Sequence, residues 1–197
     1  MSTPTPGRVV VVGAGMVAHR FVSQMIARSP EGEWRVSVVG DEDRAPYDRV
    51  HLSEFFGGRS ADDLTMDPTV WEDPRTELVT GDAVAAVDRE AQTVTTRSGR
   101  VLAYDHLVLA TGSWAWTPRT EGTDLPGVFS YRTMADVQAL REYVELRTER
   151  LGRTLHGVVV GGGVLGLEAA AALQGLGTSA TVVEFADRLM SVQLDDA

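Results

Sequence analysis

The clearest pattern along the chain is a β-branched run that stops at glycines and gives way to helical spacing, and it occurs twice. Residues 9–22 read VVVVGAGMVAHRFV and residues 157–170 read GVVVGGGVLGLEAA. A short apolar run bounded by glycine predicts a buried strand, and the change of period behind it predicts a strand–turn–helix unit. From Gly13 to Gly161 the copies are 148 residues apart, too far for a solenoid repeat and suited to two copies of one supersecondary unit. Each copy leads to another apolar run that ends in an acid: residues 33–39 (EWRVSVV) run through Gly40 to Asp41, and residues 181–183 run into Glu184.

Between the copies the pattern shortens. Residues 84–88, 93–97 and 101–104 read as short strands with Ser98-Gly99 as a two-residue hairpin signal, which predicts an inserted β-meander. Residues 106–111 (HLVLAT) predict a further buried strand that stops at Gly112. Residues 134–151 predict a helix with Thr133 as N-cap, Gly152 as C-cap, and Val137, Leu140, Val144 and Leu151 on one face. The loop at 40–58 carries Pro46, Tyr47, Asp48, Arg49 and Phe55-Phe56-Gly57-Gly58, more chemistry than a connector needs.

Composition narrows the functions. With 197 residues, 43% hydrophobic and 23% charged, the chain is globular. Its 28 acidic against 18 basic side chains give a net charge of -10, which disfavours nucleic acid and anionic membrane faces. The apolar run near the N-terminus is too short and too glycine-broken for a membrane span or signal peptide, so a cytoplasmic protein is expected. The sequence has no cysteine, which removes disulfide staples, thiolate-bound metals and a redox-active cysteine pair from this chain. His19, His51, His106 and His156 show no metal-ligand spacing, so no metal is expected.

The glycine strings carry the candidate chemistry. In Gly13-Ala14-Gly15-Met16-Val17-Ala18, Gly13 permits a tight turn, Gly15 lets the backbone approach a pyrophosphate, and Ala18 lets the helix pack closely on the strand. Phosphates would sit on the helix N-terminus. Asp41, 23 residues past Ala18, is placed to accept hydrogen bonds from a ribose. The second string supplies Gly161, Gly163, Val164, Leu165 and Gly166, with Glu184 following 18 residues later. A carboxylate there chelates an unmodified ribose and repels a 2′-phosphate, which favours NADH over NADPH, although Arg188 is near enough to keep NADPH open. The alternative for either string is a strand–turn–helix that merely packs.

Two such strings, a β-meander, the segment APYDRVHL at 45–52 and the strand end Ala110-Thr111-Gly112 together resemble the two-dinucleotide-binding flavoproteins. Within them the chain looks like the N-terminal flavoprotein part of assimilatory NAD(P)H-nitrite reductase large subunits, which belong to nitrate assimilation, with ferredoxin and rubredoxin reductases as more distant relatives. The resemblance implies an α/β fold: a Rossmann-like FAD-binding domain at 8–130 with the meander inserted, a linking helix at 131–156, and the first half of a nested Rossmann-like NAD-binding domain at 157–197. It implies FAD on residues 13–18 with Asp41 on the adenosine ribose, Arg49 toward the pyrophosphate and flavin, backbone at Val84 by the adenine, and Thr111-Gly112 closing over the cofactor. NADH would take the second turn with Glu184.

Hydride transfer between nicotinamide and flavin needs aligned rings rather than a side-chain nucleophile, so no catalytic residue is expected. Without cysteine, electrons would leave for an acceptor on a downstream domain or separate protein. Many ferredoxin-reductase-like relatives have a Lys–Glu pair where this chain has Glu54 and Glu168; two acids cannot form it, and that role is not transferred. Trp114 and Trp116 read as packing residues without a role. A NAD-binding half needs further crossovers than remain before Ala197, so the sequence is expected to be a fragment or one piece of a larger polypeptide. A ferredoxin- or rubredoxin-reductase-like enzyme, an inactive nucleotide-binding remnant and a homodimer all stay open at this point.

Overall fold

The computed structural model describes residues 5–29, 32–191 and 193–194. The chain forms two compact units, Met1–Asp48 with Thr65–Ser113, and Arg49–Leu64 with Trp114–Ala197.

In the first unit, strands β1 (Gly7–Val12) and β2 (Trp34–Val39) flank helix α1 (Met16–Arg28) in sequence, and β3 (Thr76–Val79) follows. Then come β4 (Val84–Asp88), β5 (Thr93–Thr96), β6 (Val101–Ala103) and β7 (His106–Leu109). The main sheet has the order β3-β2-β1-β7 and is parallel throughout, with Val12 opposite both Val39 and Leu109. Its central strand explains the unbroken valine run. Val9 and Val11 pack with Ala18 and Val22 of α1 on one face, while Val10 and Val12 pack with Val94 and Tyr104 of the meander segment on the other. A strand covered on both faces needs apolar residues at every position, and each such valine gains about 1.5 kcal/mol or more over exposure.

The meander β4-β5-β6 is antiparallel, as the alternation predicts. Its second turn is longer than the two-residue loop expected. Thr96 N–H donates to Arg100 O at 2.9 Å, which leaves residues 97–99 as a three-residue loop with Gly99 left-handed (φ 91°), a common three-residue hairpin form. Strand β3 was not anticipated. It is held by Arg75, whose guanidinium pairs with Asp73 at 2.7 Å and also donates to Ser29 O at 3.1 Å, among the open carbonyls at the end of α1.

In the second unit, α2 spans Met134–Leu151, β8 His156–Val160, α3 Val164–Gly175 and β9 Ser179–Val183. Helix α2 starts and stops where its caps predict: Thr133 and Asp136 form a reciprocal capping box, and Gly152 is left-handed (φ 60°). Met134, Val137 and Val144 are buried, whereas Leu151 is exposed along with all of residues 145–151, so it does not join the apolar face. Strands β8 and β9 pair in parallel, with α3 packed on one face. On the other face Val158 and Val160 are 60% and 75% exposed. Segment 49–64 also packs in this unit: Arg141 lies 4.1 Å from the centre of the Phe55 ring, and Phe56 stacks on Tyr131 at 6.3 Å.

Candidate functional site

Both glycine strings form the turn between a strand and a helix, and the two turns share one construction. Gly13 N–H donates to Val39 O and Gly161 N–H to Val183 O, each at 2.8 Å, which ties each turn to the end of the neighbouring strand. Both glycines have positive φ, 104° and 113°. A Cβ on Gly13 would strike the Ala110 carbonyl, so β7 can approach only a glycine. A Cβ on Gly166 would strike the Gly161 carbonyl, which explains the last glycine of the second string, while the first string accommodates a fully buried Ala18.

The helix starts are alike in what they lack. Gly15 and Gly163 are the N-caps of α1 and α3, neither start has a side-chain cap, and neither first turn has an acid. A Cβ on either glycine would meet nothing within 4 Å. Helix α2 is capped by Thr133 and Asp136 instead. Uncapped N–H groups at a positive helix end, with open space above them, form a receptor for phosphate oxygens. Met16 and Val17 open α1, and Val17 is exposed; Val164 and Leu165 open α3 and are likewise exposed. Ala14 packs against Gly40, where a side chain would collide with it.

Each acid lies at the tip of the strand beside its turn. Asp41 is exposed, two residues beyond Val39, and accepts the N–H of Glu42 at 3.1 Å. Glu184 follows Val183 directly and accepts from the N–H groups of Ala186 (2.9 Å) and Gly162. These two bonds, Ala186 first, hold its carboxyl below the ordinary range, against a smaller opposing effect of burial.

The first unit also gathers Val84, Thr111 and Gly112 near the first turn. Leu109 pairs with Val12, which brings the exposed Thr111-Gly112 beside Gly13, with Gly112 left-handed (φ 67°). Asp82 N–H donates to Gly40 O at 2.9 Å, and Val84 begins β4 two residues later. Arg49 belongs to the second unit, where it donates to Arg132 O at 3.0 Å. Trp114 and Trp116 are 82% and 85% exposed rather than packed, and Glu54 pairs with Arg59 at 2.9 Å. Gly162, in the middle of the second turn, donates its N–H to the Glu184 carboxylate and accepts Met190 N–H on its carbonyl. Among the described residues there is no group of three or more His, Cys, Asp or Glu able to hold a metal, and no helix long and apolar enough to cross a membrane.

Residues 7–197 match the family model of pyridine nucleotide-disulphide oxidoreductases. The chain belongs to this family. The pyridine nucleotide-disulphide oxidoreductases are FAD- and NAD(P)H-binding flavoproteins. The chain is 43% identical over 95% of its length to a nitrite reductase [NAD(P)H] large subunit from Klebsiella oxytoca, covering 19% of that protein. It is 37% identical over 95% of its length to the nitrite reductase (NADH) large subunit of Escherichia coli (strain K12), covering 22%. It thus spans about a fifth of the length of these curated relatives. Among solved structures, a ferredoxin reductase from Rhodopseudomonas palustris superposes with a TM-score of 0.80 at 29% identity, over 96% of this chain and 45% of that one. The α/β reading with a parallel sheet agrees with this neighbour.

Proposed function

We propose that this chain is the electron-entry region of an NADH-dependent flavoprotein reductase, of the kind found at the start of assimilatory nitrite reductases. FAD binds at residues 13–18 with Asp41, and NADH at residues 161–166 with Glu184. The observation that carries this reading is the shared build of the two turns: uncapped glycine starts, open space over Gly15 and Gly163, and a carboxylate at the next strand tip. Bound FAD supplies the two-electron acceptor that takes hydride from a nicotinamide. The chain contributes binding and orientation. The N–H groups opening α1 and α3 hold pyrophosphates, Asp41 and Glu184 each grip a ribose, and Thr111-Gly112 and the backbone at Val84 flank the FAD. Residues 8–130 are assigned to FAD, 131–156 to a link and 157–197 to NADH.

Because the sequence has no thiol, the electrons leave for an acceptor elsewhere. Glu184 selects NADH because a 2′-phosphate beside it would place like charges together. In the full-length FAD-loaded protein, Asp41→Ala is expected to weaken flavin retention, read as flavin lost on gel filtration. Glu184→Arg is expected to shift the kcat/KM ratio toward NADPH by about tenfold or more. Unchanged flavin content and unchanged selectivity would overturn the two assignments separately.

A further inference from the structure

The two turns differ at their middle residue. In the first, Ala14 packs on Gly40. In the second, Gly162 is grasped on both sides by the segment after β9: its N–H goes to Glu184 Oε2, and its carbonyl accepts Met190 N–H at 2.9 Å. A Cβ on Gly162 would come within 2.5 Å of Leu189 Cδ2 and 3.0 Å of Glu184 Oε2. The segment therefore runs out from the carboxylate and returns to the glycine. Its far end is fixed as well, since Gln193 and Leu194 N–H both donate to Met190 O at 2.9 Å. Met190 has φ 55°, a left-handed backbone that an unbranched non-glycine residue adopts only at some cost.

The hydrogen-bond inventory of Glu184 gives this loop a use. Oε1 accepts from Ala186 and Oε2 from Gly162. A carboxylate has about four lone-pair sites, and with Ala186, Gly162 and Phe185 N–H groups turned to it this one keeps a site for a sugar hydroxyl while its direction is already set. We infer that residues 185–190 form a strap that fixes the Glu184 carboxylate and the second glycine turn in the geometry that receives the adenosine ribose of NADH, with Met190 as the positioning residue. This rests on the reading of that turn as the NADH site. The strap contributes orientation and touches no reacting atom.

The test uses the full-length FAD-loaded protein, with NADH titrated by fluorescence and flavin reduction followed by stopped flow. Gly162→Ala drives a methyl into Leu189 and is expected to raise the dissociation constant for NADH about tenfold, the scale of an overpacked methyl. Adding Leu189→Ala makes room for the methyl and should recover most of the lost affinity. Met190→Pro removes the N–H to Gly162 and cannot take the φ of 55°, so it breaks the strap outright; it should weaken NADH at least as much and serves if Gly162→Ala does not fold. In Met190→Pro the loss should fall on the dissociation constant alone, with the rate of flavin reduction at saturating NADH as in the wild type. Wild-type affinity in both Gly162→Ala and Met190→Pro would overturn the strap, as would a double variant no better than Gly162→Ala. A wild-type protein that does not bind NADH would defeat the nucleotide reading and the strap with it.

Discussion

Gly13 and Gly15 stand two residues apart and answer to different demands. Gly13 is left-handed, and a Cβ there would meet the Ala110 carbonyl, which belongs to the backbone and cannot swing aside. Gly13→Ala is expected to destabilise the fold by about 3 kcal/mol, seen as a lower denaturant midpoint. Gly15 has φ -97° and open space above it, so Gly15→Ala should leave that midpoint nearly unchanged and reduce flavin affinity instead. Asp105 offers a pH-dependent counterpart. The Arg8 side chain first, and the Arg8 N–H at 2.7 Å with it, lower its carboxyl from 3.8 to about 2. The folded state therefore releases this proton more readily than the unfolded chain. The stabilisation is complete above about pH 4 and fades as pH falls toward about 2. The Asp105 carboxyl resonance is expected to titrate near that lower value, and Arg8→Ala should raise it only part of the way back, because the N–H of residue 8 remains. Tyr131 moves the other way: burial, then the charge of Glu168, push its phenol up to about 12, against a smaller pull from Ser53.

At the scale of elements, legibility followed whether an end carries its own side-chain chemistry. Helix α2 could be read to the residue because Thr133, Asp136 and Gly152 are cap residues by type. The start of helix α3 at Val164 has no such sign, because its glycine cap makes no side-chain bond. Strand β3 was missed because TELV has two apolar positions and exposes Glu77, which pairs with Arg100 at 2.6 Å; its place is set by pairing with β2, a long-range fact. Thr133→Ala removes the acceptor for Asp136 N–H and is expected to cost about 1 kcal/mol, measured by thermal unfolding.

For the whole molecule, the parts of the site that are local in sequence were legible, and those made by chain return were not. The turns, their helices and the acids at the strand tips follow from spacing alone, since a strand–turn–helix–strand unit brings them together within about 30 residues. The packing of segment 49–64 with α2 and α3 and the hold of Met190 on Gly162 have no residue-type signature. What the two sites share is the bond from the first glycine of each turn to the last carbonyl of the next strand, Val39 or Val183. Because that bond is internal to the protein, a coenzyme docking as proposed would find its berth ready made. The entropy lost on docking would then be mainly the coenzyme's own, and under the proposed reading a spent nicotinamide carrier would be exchanged for a fresh one without the backbone around it having to reorganise.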